Sequence, residues 1–236
     1  MHRDDRRFEF RELLMVPIVK ILNRSRGLRR IFIDFGQLVE YVNWAKSRSI
    51  DVKFLGTRKN LLRKLFESHE GEICLVLELG VARGALTKWG LKTLMDPNLS
   101  WVGFDSFVGL PNDWVRSGQV YLSKGAFSTG GQVPQISDSR LSFVVGDVMA
   151  TCKQLPELLL NRPDGRVLII FDLDLFEPSL SAWKEISPHL RHGDLLYFDQ
   201  AFDTEGERLL LEKYVIKEKS VMLVGTSVIG CVVEII

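Results

Sequence analysis

From residue 73 to the C-terminus the chain alternates short apolar runs with longer stretches of helical periodicity, the pattern of βαβ units wound around a mostly parallel sheet. The runs at 74–79, 101–104, 141–145, 167–171 and 195–198 are apolar but for Glu78 and Ser142, as expected of strands covered by helices on both faces. Helices are expected between them at 85–95, 149–160, 178–190 and 204–217, with Pro178 in a first helical turn, where a missing N–H breaks no bond.

Two further apolar runs, 221–224 and 228–233, are separated only by Gly225, Thr226 and Ser227. That is too short for a crossover helix, so they should pair antiparallel at the sheet edge. Five parallel strands closed by such a hairpin form a doubly wound α/β sheet of seven strands. This layout resembles the Rossmann-like sheet of class I methyltransferases, whereas nicotinamide-dependent Rossmann dehydrogenases usually lack the hairpin. Residues 106–140 interrupt the pattern with Gly109, Pro111, Gly118, Gly125, Gly130, Gly131 and Pro134, and so long a connection in a compact domain is usually functional or mobile. Residues 1–55 read as an N-terminal helical lid or appendage to a domain spanning 56–236. Its apolar residues Leu13, Leu14, Val16, Ile18, Val19, Ile21 and Leu22 need a surface to bury against, either the long connection or a second copy in a homo-oligomer.

The 236 residues, 46% hydrophobic and 26% charged, suffice for a sizeable core. A net charge of +1 gives no field to recruit nucleic acid or an anionic membrane, which leaves a small molecule as the expected partner. No uncharged apolar run reaches the roughly 18 residues of a membrane span. Asp4, Asp5, Glu9 and Glu12 ahead of the first apolar run, with no small-residue cleavage site after it, do not read as a signal peptide. Cys74, Cys152 and Cys231 are widely spaced and lack metal-ligand spacing, so they read as reduced thiols of a cytoplasmic protein.

The candidate chemistry lies where strands end. The first strand runs through Glu78 into Gly80-Val81-Ala82-Arg83-Gly84 and then a helix, a turn that can bring backbone N–H groups against a ligand or can simply be tight. Glu78 favours a ligand, because a buried carboxylate needs a partner and the ammonium of S-adenosylmethionine would supply one. Arg83 could meet the cofactor carboxylate or pair at the surface. Asp105 and Ser106 end the second strand, where an acid either accepts ribose hydroxyls or caps the next turn. Asp147 after the third strand either receives an adenine amino group or caps a helix. Asp172 and Asp174 would share a face if the chain stayed extended, and Asp199 from the next strand could supply a third oxygen to a set suited to Mg²⁺, Ca²⁺ or Mn²⁺; solvated loop acids or helix caps are the alternative. Trp114 is either a core anchor or part of an acceptor pocket.

Leu77 to Gly84, Phe104 to Pro111, Lys124 to Phe127, Asp172 to Phe176 and Phe198 to Gln200 together resemble the macrocin O-methyltransferase family over about residues 56–217. The resemblance implies methylation of sugar hydroxyls on natural products, with S-adenosylmethionine and usually a divalent cation. By position it makes Asp172 and Asp199 metal ligands, Asp172 also a cofactor neighbour, and Asp174 the general base. Where the family has two consecutive acids, this chain has Asp199 followed by Gln200, which weakens any cation site. The expectation is therefore an O-methyltransferase for a sugar-like hydroxyl acceptor, against a phenol or amine acceptor, or a silent cofactor-binding subunit.

Overall fold

The computed structural model describes Met15, Pro17, Ile18, Ile21 and residues 24–48, 53–116 and 118–236. The chain divides into two compact units between Glu40 and Tyr41. Leu13, Leu14, Val16, Val19 and Leu22, on which the lid expectation leans, lie outside the described residues. Among the described residues no helix is long and apolar enough to cross a membrane.

In chain order the elements are α1 (Arg26–Arg48), β1 (Lys53–Phe54), α2 (Arg58–Ser68), β2 (Ile73–Leu79), α3 (Ala85–Thr93), β3 (Ser100–Asp105), β4 (Trp114–Arg116), β5 (Gln119–Leu122), β6 (Leu141–Val145), α4 (Val148–Thr151), α5 (Leu155–Leu160), β7 (Arg166–Phe171), α6 (Phe176–Ile186), β8 (Leu195–Phe198), α7 (Glu207–Leu210), α8 (Ile216–Glu218), β9 (Val221–Thr226) and β10 (Cys231–Ile235). A π-helical turn, Leu211–Val215, joins α7 to α8. The sheet order is β1-β9-β10-β8-β7-β2-β3-β6. The four pairings among β8, β7, β2, β3 and β6 are parallel, and β10 runs antiparallel to both β8 and β9, so the expected seven-stranded sheet with its terminal hairpin is present. β1 adds a two-residue parallel edge beside β9, through Lys53↔Gly225 and Phe54↔Thr226.

Continuous burial of β7 and β8 follows from helices on both faces. On one face Leu61, Leu62, Leu65 and Phe66 of α2 and Leu91 of α3 pack over Val76, Trp101, Leu168, Ile170, Leu195, Tyr197 and Val232. The glycine-rich connection holds its own hairpin, β4 against β5. Its own Arg116 pins it to the rest of the domain, with Nε 3.1 Å from Asp203 and both side chains almost wholly buried. The Arg116 guanidinium is enclosed by the rings of Tyr121 and Phe202 at 4.4 and 4.8 Å. Trp114 is a core anchor here, 2% exposed and donating Nε1–H to Asp203 at 3.3 Å.

Candidate functional site

Parallel strands point their carboxyl ends the same way, and those of β2, β3, β6, β7 and β8 border one cavity of about 920 Å³. The ladder continues to the edge: Asp172 N–H donates to Leu79 O and Asp199 N–H to Phe171 O, both at 2.9 Å, so the acids are the first residues beyond their strands. Glu78, Gly80, Arg83, Asp105, Ser106, Asp147, Asp172, Asp174, Asp199 and Gln200 all line this cavity. Gly84 is the exception among the expected site residues. Its φ is +70° and a Cβ there would stand 3.0 Å from Pro134 and Ile136, so its role is to let the long connection pack onto the turn.

Gly80 is required by close approach. With φ at +92°, a Cβ would lie 1.9 Å from the carbonyl oxygen of Asp172, which only glycine permits. The turn that follows is held by Asp105. Its Oδ2 accepts from Val81 N and Ala82 N at 2.8 and 2.7 Å, and its Oδ1 accepts from Phe107 N at 2.7 Å. The carboxylate thus braces the loops that follow β2 and β3, as the capping alternative has it. Asp147 likewise caps α4, its Oδ1 accepting from Met149 N at 2.9 Å. Arg83 is exposed at the cavity rim.

Glu78 is 1% exposed and already has partners within the protein. Its Oε2 accepts from Thr87 Oγ1 at 2.6 Å and Trp101 Nε1 at 2.8 Å, so the premise that burial by itself demands a ligand ammonium is corrected. Burial pushes its carboxyl up to about 7, against the lowering pull of those two donors.

Asp172 and Asp174 come together differently from the extended strand that the alternation implied. β7 stops at Phe171, Asp174 takes a φ of +62°, and the turn is held by Glu207, whose Oε1 accepts from Leu173 N and Asp174 N at 2.9 and 2.7 Å. Glu207 is fully buried, with Oε2 unpartnered, and burial followed by the nearby Asp174 raises its pKa well above the carboxylate range. Asp174, 7% exposed, is pushed up to about 7 by burial and then by Asp199, while the Gln200 hydrogen bond opposes the shift. Gln200 Nε2 donates to Asp174 Oδ1 at 2.9 Å. Ala82, Phe127, Asp174 and Gln200 all have positive φ without being glycine, and all four line the cavity, so backbone strain is concentrated there.

Three participants escaped the sequence reading. Tyr197 donates its hydroxyl to Asp199 Oδ1. Glu207 lies in the predicted helix over 204–217 but carries no local mark of its role. Arg58, the first residue of α2, places Nη1 3.1 Å from Asp172 Oδ2 and 3.3 Å from Asp199 Oδ2.

No protein-family model and no curated protein matches this chain. Among solved structures it is similar to CalS11, a calicheamicin methyltransferase, at 21% identity over 75% of this chain and 78% of that one, with a TM-score of 0.56. An apo structure of CalS11, described as a TDP-rhamnose 3'-O-methyltransferase, aligns at 19% identity over 75% and 81% of the chains, with a TM-score of 0.49. The O-methyltransferase NovP aligns at 16% identity over 75% and 76%, with a TM-score of 0.46. The first of these shows that the chain has the Rossmann-like fold of that methyltransferase.

Proposed function

We propose that this chain is an S-adenosylmethionine-dependent O-methyltransferase acting on a hydroxyl of a sugar or a similar polyhydroxylated small molecule. The observation that carries the proposal is the shared cavity. The Gly80 turn, Glu78 and Asp105 border one part of it, and Asp174, Asp172 and Asp199 border another, so a bound cofactor and a carboxylate base would face the same space. The fold shared with a calicheamicin methyltransferase supports the same reading.

The cofactor would supply an electrophilic methyl group on a sulfonium. The chain's own residues then have separable tasks. Gly80 and the N-terminus of α3 let the backbone approach the cofactor, and Glu78 in the cavity wall offers a carboxylate to its ammonium. Asp105 holds Val81 and Ala82 in the conformation that shapes this pocket. The Asp174 carboxylate would take the proton of the acceptor hydroxyl as that oxygen receives the methyl group. A base with a pKa of about 7 is well matched to neutral pH, and the Gln200 amide fixes its orientation. Ser106, Val108 to Pro111, Lys124, Gly125, Phe127 and Ser128 of the long connection line the cavity beside these groups and would contact the acceptor.

The test is methyl transfer from S-adenosylmethionine to a panel of sugar, phenol and amine acceptors with wild type and Asp174→Asn. Turnover of a sugar hydroxyl should fall roughly 100-fold or more in the variant, the scale of general-base catalysis, with affinity for S-adenosylhomocysteine unchanged. Full turnover in Asp174→Asn refutes the base, and methylation of phenols or amines alone refutes the acceptor class.

A further inference from the structure

We infer that the Arg58 guanidinium, and not a divalent cation, is the counter-charge of the Asp172–Asp199 carboxylate pair in this chain. The backbone leading to Arg58 is fixed at the carboxyl edge of the sheet. β1 pairs with β9, Leu55 N–H donates to Thr226 O at 2.8 Å, and Val228 N–H donates to Gly56 O at 2.8 Å. Thr57 then caps α2, its hydroxyl accepting from Asn60 N at 3.2 Å, so the first helical residue is delivered to the ends of β7 and β8. From there one nitrogen, Nη1, reaches an oxygen of each acid, at 3.1 and 3.3 Å.

The donor set does not fit a hard dication. Mg²⁺ requires near-octahedral oxygens at about 2.0–2.1 Å. A cation bound by Asp172 Oδ2 and Asp199 Oδ2 would have to share both with Nη1 and stand beside a like charge. Two further oxygens of the cluster are also committed: Asp199 Oδ1 accepts from Tyr197, and Asp174 Oδ1 accepts from the Gln200 amide nitrogen. Gln200 therefore presents its donor to this cluster, and the position contributes no negative charge. Among the described residues no three His, Cys, Asp or Glu side chains are arranged to hold a metal. A guanidinium is never deprotonated at working pH and carries several donors on one plane, so a single Arg can hold two carboxylates at fixed separation.

Arg58 is thus a positioning residue. It lines the cavity and holds Asp172 and Asp199 beside Asp174, and methyl transfer in this chain needs no divalent cation. That consequence rests on the methyltransferase reading, whereas the counter-charge assignment does not. Electron paramagnetic resonance of free Mn²⁺ tests the assignment without any activity. Titrating the wild-type chain into Mn²⁺ should leave the free-ion signal undiminished, whereas Arg58→Ala, which frees both carboxylates, should diminish it, and Arg58→Ala/Asp172→Asn should not. A wild-type chain that removes the signal, with Asp172→Asn restoring it, overturns the inference. Thermal unfolding of each variant establishes that it is folded, and Arg58→Gln, which also removes the charge, serves in place of Arg58→Ala if the latter is not. In the second arm, transfer by the wild type in excess EDTA should equal transfer in Mg²⁺. Loss of at least tenfold in EDTA, restored by Mg²⁺, overturns the inference, while absence of transfer under both conditions counts against the proposed function alone.

Discussion

Glu78→Gln offers a quantitative test of the buried carboxylate beneath the glycine turn. In the folded chain burial raises its pKa from 4.5 to about 7. Between those values the native state keeps a proton that the unfolded chain has released, so stability must fall as pH rises through the window. A shift of about 2.5 units at 1.36 kcal/mol each amounts to about 3 kcal/mol, fully present below pH 4.5 and lost above pH 7. Gln keeps an oxygen to accept from Thr87 Oγ1 and Trp101 Nε1, but it does not titrate. Urea unfolding of both proteins without ligand, followed by tryptophan fluorescence at pH 5 and pH 8, gives a double difference in which the other titrating groups cancel. The stability of Glu78→Gln relative to wild type should improve by about 2–3 kcal/mol on going from pH 5 to pH 8. A double difference below about 0.5 kcal/mol, or one of opposite sign, refutes the raised carboxyl.

Gly80→Ala should destabilise the fold by about 2–5 kcal/mol, from a left-handed conformation costing about 1–2 and overpacking costing about 1–3, because its Cβ would meet the Asp172 carbonyl at 1.9 Å. Thermal unfolding checks this, and an unchanged Tm contradicts the close approach. Arg116→Ala should cost about 3–5 kcal/mol by leaving Asp203 buried without its cation, although Trp114 and Glu205 still donate to it. Denaturant unfolding that shows less than about 1 kcal/mol would remove Arg116 as the pin of the β4–β5 hairpin.

Strands buried on both faces were legible because a nearly all-apolar run bounded by turns has few other uses. The short gap between the last two apolar runs dictated an antiparallel hairpin, but its turn lies at 227–230, and Gly225 and Thr226 are residues of β9. β1 was not legible, since a two-residue edge strand is defined by its partner Gly225–Thr226 and has no pattern of its own. The site acids were legible by position at strand ends. Their partners were not: no local periodicity ties Arg58 to Asp172, 114 residues away, or Glu207 to the Asp174 backbone, 33 residues away. The extended reading of Asp172 and Asp174 failed for the same reason, because a buried glutamate distant in sequence stabilises the turn between them. Asp105 and Asp147 illustrate how short acids at strand and helix ends satisfy backbone N–H groups first.

The central claim is that the cavity at the carboxyl edge of the sheet takes S-adenosylmethionine. Calorimetric titration of the full chain with S-adenosylhomocysteine, and separately with NAD, tests it most directly. The account predicts saturable one-to-one binding of S-adenosylhomocysteine and no heat from NAD; absence of S-adenosylhomocysteine binding, or saturable binding of NAD, would contradict it.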